Sequence, residues 1–157
     1  MKEKEFETLF TQACVLYKCF FVKIPDVIAG ALIDSQSNSG RFMARKRPAD
    51  GVFVSREGVM LIELKANAGA VKPHQVSCAE TVNAICPGSY LFIRSRKSKG
   101  KDLFQVEVHD RFGKLIIDKF SDIRALIYGL VEYQAKLKAL NVKINLDSNL
   151  AANKVES

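Results

Sequence analysis

Residues 50–65 read Asp50-Gly51-Val52-Phe53-Val54-Ser55-Arg56-Glu57-Gly58-Val59-Met60-Leu61-Ile62-Glu63-Leu64-Lys65. Two apolar runs, Val52–Val54 and Val59–Ile62, flank Ser55-Arg56-Glu57-Gly58. Short β-branched and aromatic runs on either side of a polar turn that closes on glycine predict a β-hairpin. With the turn at Ser55–Gly58, Val54 faces Val59, and the same register carried outward sets Asp50 opposite Glu63. Residues directly opposed in an antiparallel pair have Cβ atoms about 4.5–5.5 Å apart. Lys65 lies two residues beyond Glu63 and so shares its face.

Opposed carboxylates destabilise a sheet unless a cation lies between them or one takes a proton. A divalent metal is the economical answer. Oxygen-only ligands favour Mg²⁺ or Mn²⁺, with water and a substrate phosphate completing the shell. Lys65 is then placed to orient or deprotonate an attacking water, or to stabilise charge developing on phosphate. The other reading is a frayed hairpin end with Glu63 and Lys65 in solvent, and spacing alone leaves both open.

Outward from the hairpin, Phe6, Leu9, Phe10, Ala13, Leu16 and Tyr17 recur at helical spacing. Phe20–Ile24 reads as a strand stopped by Pro25, and residues 30–47 as a flexible loop with a basic end. On the other side, Pro73 opens a helix carrying Val76, Ala79, Val82 and Ile85, which stops before Pro87-Gly88. Tyr90–Ile93 is a buried strand by composition, and Arg94–Lys101 a basic loop. Leu103–Val108 and Leu115–Ile117 read as strands around the turn Asp110–Gly113. Ser121 caps a long helix whose apolar period of 3.6 decays beyond Asn141. This order predicts a mixed α/β or α+β domain over residues 1–147, with 148–157 as a flexible tail.

At 157 residues the chain can bury a core without disulfides, and its ordinary apolar and charged content excludes a mostly disordered protein. The formal charge of +7 favours an acidic partner, nucleic acid ahead of membrane. No apolar run is long enough to span a bilayer, and the charged start Met1–Glu5 is unlike a signal peptide, so an intracellular, cytoplasmic protein is expected. Cys14, Cys19, Cys78 and Cys86 match no zinc spacing and are expected as reduced, packed thiols.

Pro48-Ala49-Asp50, followed after twelve residues by Glu63-Leu64-Lys65, resembles the PD-(D/E)xK signature of the restriction-endonuclease-like nuclease superfamily. Phe6-Glu7, Tyr17, Val22-Lys23-Ile24-Pro25, Pro73-His74-Gln75 and Tyr90–Ile93 extend the likeness to Holliday junction resolvases of the RecU type and their phage and archaeal relatives. It covers residues 6–93 and thins out after them. Asp26–Gly30 departs from the segment that follows the Lys-Pro strand end in those proteins, and no counterpart of their junction-probing stalk is recognisable in residues 30–47. The resemblance implies a central mixed sheet flanked by helices. It also implies Mg²⁺- or Mn²⁺-dependent cleavage of branched, four-way-junction DNA by a homodimer. In it, Asp50 and Glu63 bind metal, Lys65 is catalytic, Glu7 adds a metal carboxylate, and Gln75 contacts the metal or the scissile strand. A nuclease of the same fold acting on flaps, ends or single strands is the alternative, and a DNA-binding protein that kept the fold without catalysis is the third.

Two basic segments complete the reading. Arg41, Arg45, Lys46 and Arg47 precede Asp50, and Arg94, Arg96, Lys97, Lys99 and Lys101 follow the core strand, with no acidic residue among them. Phosphate contact from both is expected, with affinity that falls as salt rises.

Overall fold

The computed structural model describes residues 1–25 and 47–156. Arg41, Arg45, Lys46 and most of the loop predicted over 30–47 lie outside them. The elements are α1 (Glu3–Leu16), β1 (Phe20–Lys23), β2 (Gly51–Ser55), β3 (Gly58–Ala66), α2 (Pro73–Ile85), β4 (Tyr90–Ser98), β5 (Lys101–Asp110), β6 (Gly113–Phe120) and α3 (Ile123–Glu156). The strands form one mixed sheet in sequence order, with β3 and β4 parallel and the other neighbours antiparallel. The parallel step is made by α2, the crossover that a parallel pair requires.

Side-chain alternation along the strands divides the interior in two. Phe53, Met60, Ile62, Leu64, Leu91, Ile93, Phe104 and Val106 point to one face, where Phe6 and Phe10 of α1 and Leu126, Ile127 and Leu130 of α3 cover them. Ala49, Tyr90 and Phe92 point to the other face and pack with Ala79 of α2. The first face is predominantly apolar, with Ser95 and Gln134 as buried polar exceptions; the second buries charged side chains among its apolar ones.

The hairpin register agrees with the sequence reading: Gly51 pairs with Ile62 and Val54 with Val59. Ser55 pairs with Gly58, so the turn proper is Arg56-Glu57, tighter than four residues. Gly51 leaves no room for a side chain, since a Cβ there would sit 2.6 Å from the Phe21 ring and from the Val22 carbonyl.

Three expectations are corrected. The basic stretch Arg94–Lys101 is no loop: β4 runs on to Ser98 and pairs with β5 through Ser98–Lys101. Its turn is Lys99-Gly100, both at positive φ (50° and 78°), the backbone of a two-residue hairpin turn. Basic side chains are tolerated because the outer end of this hairpin projects into solvent, with residues 96–100 exposed. The last helix runs to Glu156, through residues 148–156 that were expected as a tail. Residues 138–154 are exposed throughout, so the lost periodicity marks where packing ends rather than where the helix ends. No Gly or Pro interrupts that stretch, and extending a formed helix needs no new nucleation. Its N-cap is Asp122, whose Oδ1 accepts from the Ala125 N–H at 2.8 Å, and not Ser121.

Candidate active site

Asp50 sits one residue before β2 and Glu63 near the end of β3, one step beyond the last paired residues Gly51 and Ile62. Both point to the α2 face, as does Lys65. The three are 3%, 3% and 5% exposed. The loop that delivers Asp50 is pinned from beneath. The Tyr90 hydroxyl donates to the Pro48 carbonyl at 2.6 Å, and the Ile24 N–H donates to the Asp50 carbonyl at 2.9 Å. Burial, and after it the Glu63 charge, push the Tyr90 hydroxyl up, so it remains a donor. Asn83 of α2 in turn ties Tyr90 to β5, accepting from the Tyr90 N–H and donating to the Tyr90 and His109 carbonyls.

Asp50 uses both oxygens. Oδ2 accepts from the Leu64 N–H at 2.7 Å, and Oδ1 from Arg47 Nη2 at 2.5 Å. Glu63 receives two donors on one oxygen: Lys65 Nζ at 2.9 Å and the Gln75 side-chain amide, both on Oε1. Burial, then the nearby Asp50 charge, raise the Glu63 carboxyl to about 7, while Lys65 and Arg47 pull against that rise. Gln75 reaches Glu63 because Pro73 starts α2 on the same sheet face. It also accepts from the Lys72 N–H at 2.9 Å.

The structure therefore brings Asp50, Glu63, Lys65 and Gln75 together, with Arg47 among them. Glu7 is not in this group. Its carboxylate accepts from Lys23 Nζ at 2.8 Å. Lys23 shares the sheet face of Phe21, the face that α1 covers, which is opposite to Asp50 and Glu63. Among the described residues no group of three or more His, Cys, Asp or Glu is arranged to hold a metal.

Two basic residues expected at phosphate are elsewhere. Arg47 is on Asp50, as above. Arg94 is buried at 6% exposure, where Nη1 donates to the carbonyls of Gly69 (2.6 Å) and Asn67 (3.3 Å) and Nε to Glu107 Oε1 (3.2 Å). It fastens the loop between Lys65 and α2 to β4 and β5. Arg96, Lys97 and Lys99 are exposed on the projecting hairpin, with Lys97 paired to Asp102 at 2.9 Å.

Sequence reasoning missed this second polar cluster. Gln105, Glu107 and His109 alternate with Phe104, Val106 and Val108, which marks a strand but not which side is covered. Here α2 packs over the polar side as well, leaving Glu107 fully buried. Of the cysteines, Cys14 and Cys19 are buried, but Cys86 is exposed rather than packed, and all four are free.

The residues present fit a divalent cation on chemical grounds. Two buried carboxylates converge from adjacent strands, one of them raised by burial and then by its neighbour's charge, and Glu63 Oε2 accepts no hydrogen bond from the described residues. Two protein carboxylates with water and substrate oxygens make an ordinary Mg²⁺ shell. No helix among the described residues is long and apolar enough to cross a membrane. Neither protein-family models, nor curated proteins, nor solved structures match this chain.

Proposed function

We propose that this chain is a metal-dependent DNA endonuclease with a restriction-endonuclease-like core. Its substrate is branched DNA, a four-way junction first among the branched forms, and it acts as a homodimer. The carrying observation is the buried pair Asp50 and Glu63 at the open end of the β2–β3 hairpin, with Lys65 on the same face. Asp50 and Glu63 would hold Mg²⁺ or Mn²⁺, which when bound supplies charge neutralisation at a phosphodiester and acidifies a water. Lys65, fixed by Glu63, orients that water or balances charge on the phosphate oxygens. Gln75 holds the Glu63 carboxylate in place. In hydrolysis the water oxygen bonds to phosphorus, the bond to one sugar oxygen breaks, and that oxygen takes a proton. Arg96, Lys97 and Lys99, on the arm formed by β4 and β5, supply sequence-independent phosphate contacts.

One observation favours a second reading, a DNA-binding protein of the same fold without catalysis. Arg47 and Lys65 already balance the charges of Asp50 and Glu63, so the pair is neutral overall without a metal. Labelled four-way junctions, flaps, single strands and duplexes incubated with Mg²⁺ or Mn²⁺ decide between them. Paired, symmetric nicks near the crossover support junction resolution. Flap or end products move the activity to another branched substrate, and binding without cutting establishes the second reading.

A further inference from the structure

Arg47 and Lys65 neutralise the two carboxylates in different ways. Lys65 shares Glu63 Oε1 with Gln75 and leaves Oε2 without a hydrogen bond among the described residues. Arg47 holds Asp50 Oδ1, while Oδ2 is committed to the Leu64 N–H inside the hairpin. A cation bound by Asp50 would thus meet Glu63 with its partners intact, but would meet Asp50 with Oδ1 already taken. Two positive groups at one carboxylate oxygen repel each other and compete for its lone pairs. The surroundings set which one yields. The Lys65 side chain is 6% exposed, whereas that of Arg47 is 24% exposed and has solvent to turn into.

We infer that Arg47 is a resident stand-in for the divalent cation: it neutralises Asp50 in the metal-free protein and leaves Oδ1 when the cation binds. Metal affinity at this site is then the result of an exchange against a guanidinium, and Arg47 restrains binding. The inference rests on Asp50 and Glu63 being metal ligands. It assigns Arg47 a role distinct from the phosphate contact expected of it, and it requires no movement of Lys65 or Gln75.

The test is calorimetric titration of Mn²⁺ into wild type, Arg47→Met and Arg47→Lys at mildly alkaline pH, with melting temperatures measured with and without Mn²⁺. Arg47→Met should bind Mn²⁺ about tenfold or more tightly, the scale of one charge-assisted hydrogen bond. It should also melt lower without metal and gain more from Mn²⁺ than wild type does. Arg47→Lys should fall between the two. The wild-type protein gives an independent reading: saturating Mg²⁺ should shift the Arg47 Nε–Hε resonance, and this measurement stands even if Arg47→Met fails to fold. Equal Mn²⁺ affinity in all three proteins, with an unmoved Arg47 resonance, overturns the exchange and leaves the metal site standing. Absence of any Mn²⁺ binding that Asp50→Asn abolishes overturns the metal site, and the exchange with it.

Discussion

Two glutamate carboxylates lie buried on the α2 face of the sheet, two strands apart, and the protein holds them in opposite states. Glu63 on β3 shares its two donors on one oxygen, faces Asp50, and is raised to about 7 by burial and then by that neighbouring charge. Glu107 on β5 is fully buried, and burial pushes it up as well. There the Arg94 hydrogen bond and charge, then Lys114 and Gln105, outweigh burial and hold it below the ordinary glutamate value. Its Oε1 meets Arg94 at 3.2 Å, Gln105 at 2.6 Å and Lys114 at 3.3 Å, and its Oε2 meets His109 at 3.4 Å. Both side chains are closed to solvent, and their donor sets differ. A carboxylate saturated by the chain's own donors is a structural clamp; Glu63, with Oε2 unbonded among the described residues and Asp50 beside it, keeps an oxygen on which the proposed cation could bind.

The comparison breaks most completely through activity. Glu63→Gln or Asp50→Asn should abolish cleavage while DNA binding is largely retained, as read by junction cleavage and by gel shift. Cutting within a few-fold of wild type in either variant removes the metal-ligand assignment. The matching change in the other cluster should act on folding instead. Glu107→Gln leaves the Arg94 guanidinium buried without its counter-charge, and breaking a buried ion pair costs about 3–5 kcal/mol. Urea unfolding measures this, and a loss below about 1 kcal/mol would show that the cluster is not the clamp described.

Next in size is Lys65. Lys65→Ala should lower turnover by about a hundredfold, the scale of one positioned proton-transfer or electrostatic group. Mn²⁺ binding should persist in that variant, because both carboxylates remain. Lys65→Arg should not rescue, since a planar guanidinium cannot lose its proton at working pH. Normal turnover in Lys65→Ala would place this lysine with the structural cations instead.

A smaller effect is expected on the arm. Replacing Arg96, Lys97 and Lys99 with Ser should weaken all DNA forms alike and flatten the slope of log affinity against log salt by about one unit per lost phosphate contact. Arg94 does not belong in that set, because it is buried on Glu107. An unchanged slope would turn the arm away from DNA.

The smallest effect sharpens the contrast directly. By carboxyl ¹³C resonance, Glu63 should titrate near 7 in the metal-free protein and Glu107 below the ordinary glutamate range. Asp50→Asn should lower the Glu63 midpoint, since a negative neighbour is removed. Glu63 is raised from 4.5 to about 7, so its contribution is complete below 4.5 and lost as pH rises through 7. Glu107 is lowered, so its contribution is present above the unfolded value and lost as acid titrates it. Identical midpoints for the two would dissolve the comparison.

The hairpin, its register and the placing of Asp50 against Glu63 with Lys65 alongside were legible in the sequence. These contacts span few residues, and period-2 alternation on both sides of the Ser55–Gly58 turn favours the one pairing that buries Phe53, Met60 and Ile62 together. The long helix and the strand before Pro25 were legible for the same local reason. What surrounds the carboxylates was not legible there. The Tyr90 hydroxyl reaches Pro48 across forty-two positions, and Arg94 reaches Gly69 only because β3 and β4 run parallel. Glu7 illustrates the limit from the other side. The spacing of Phe6, Leu9 and Phe10 around it was read as helical, but which sheet face α1 covers is fixed by where Phe6 and Phe10 find their partners, and that put Glu7 on Lys23 rather than beside Asp50. Local periodicity specifies elements and their inner faces. Which side of a sheet a helix lands on, and so which charged side chains are buried together, depends on packing between segments far apart in the chain.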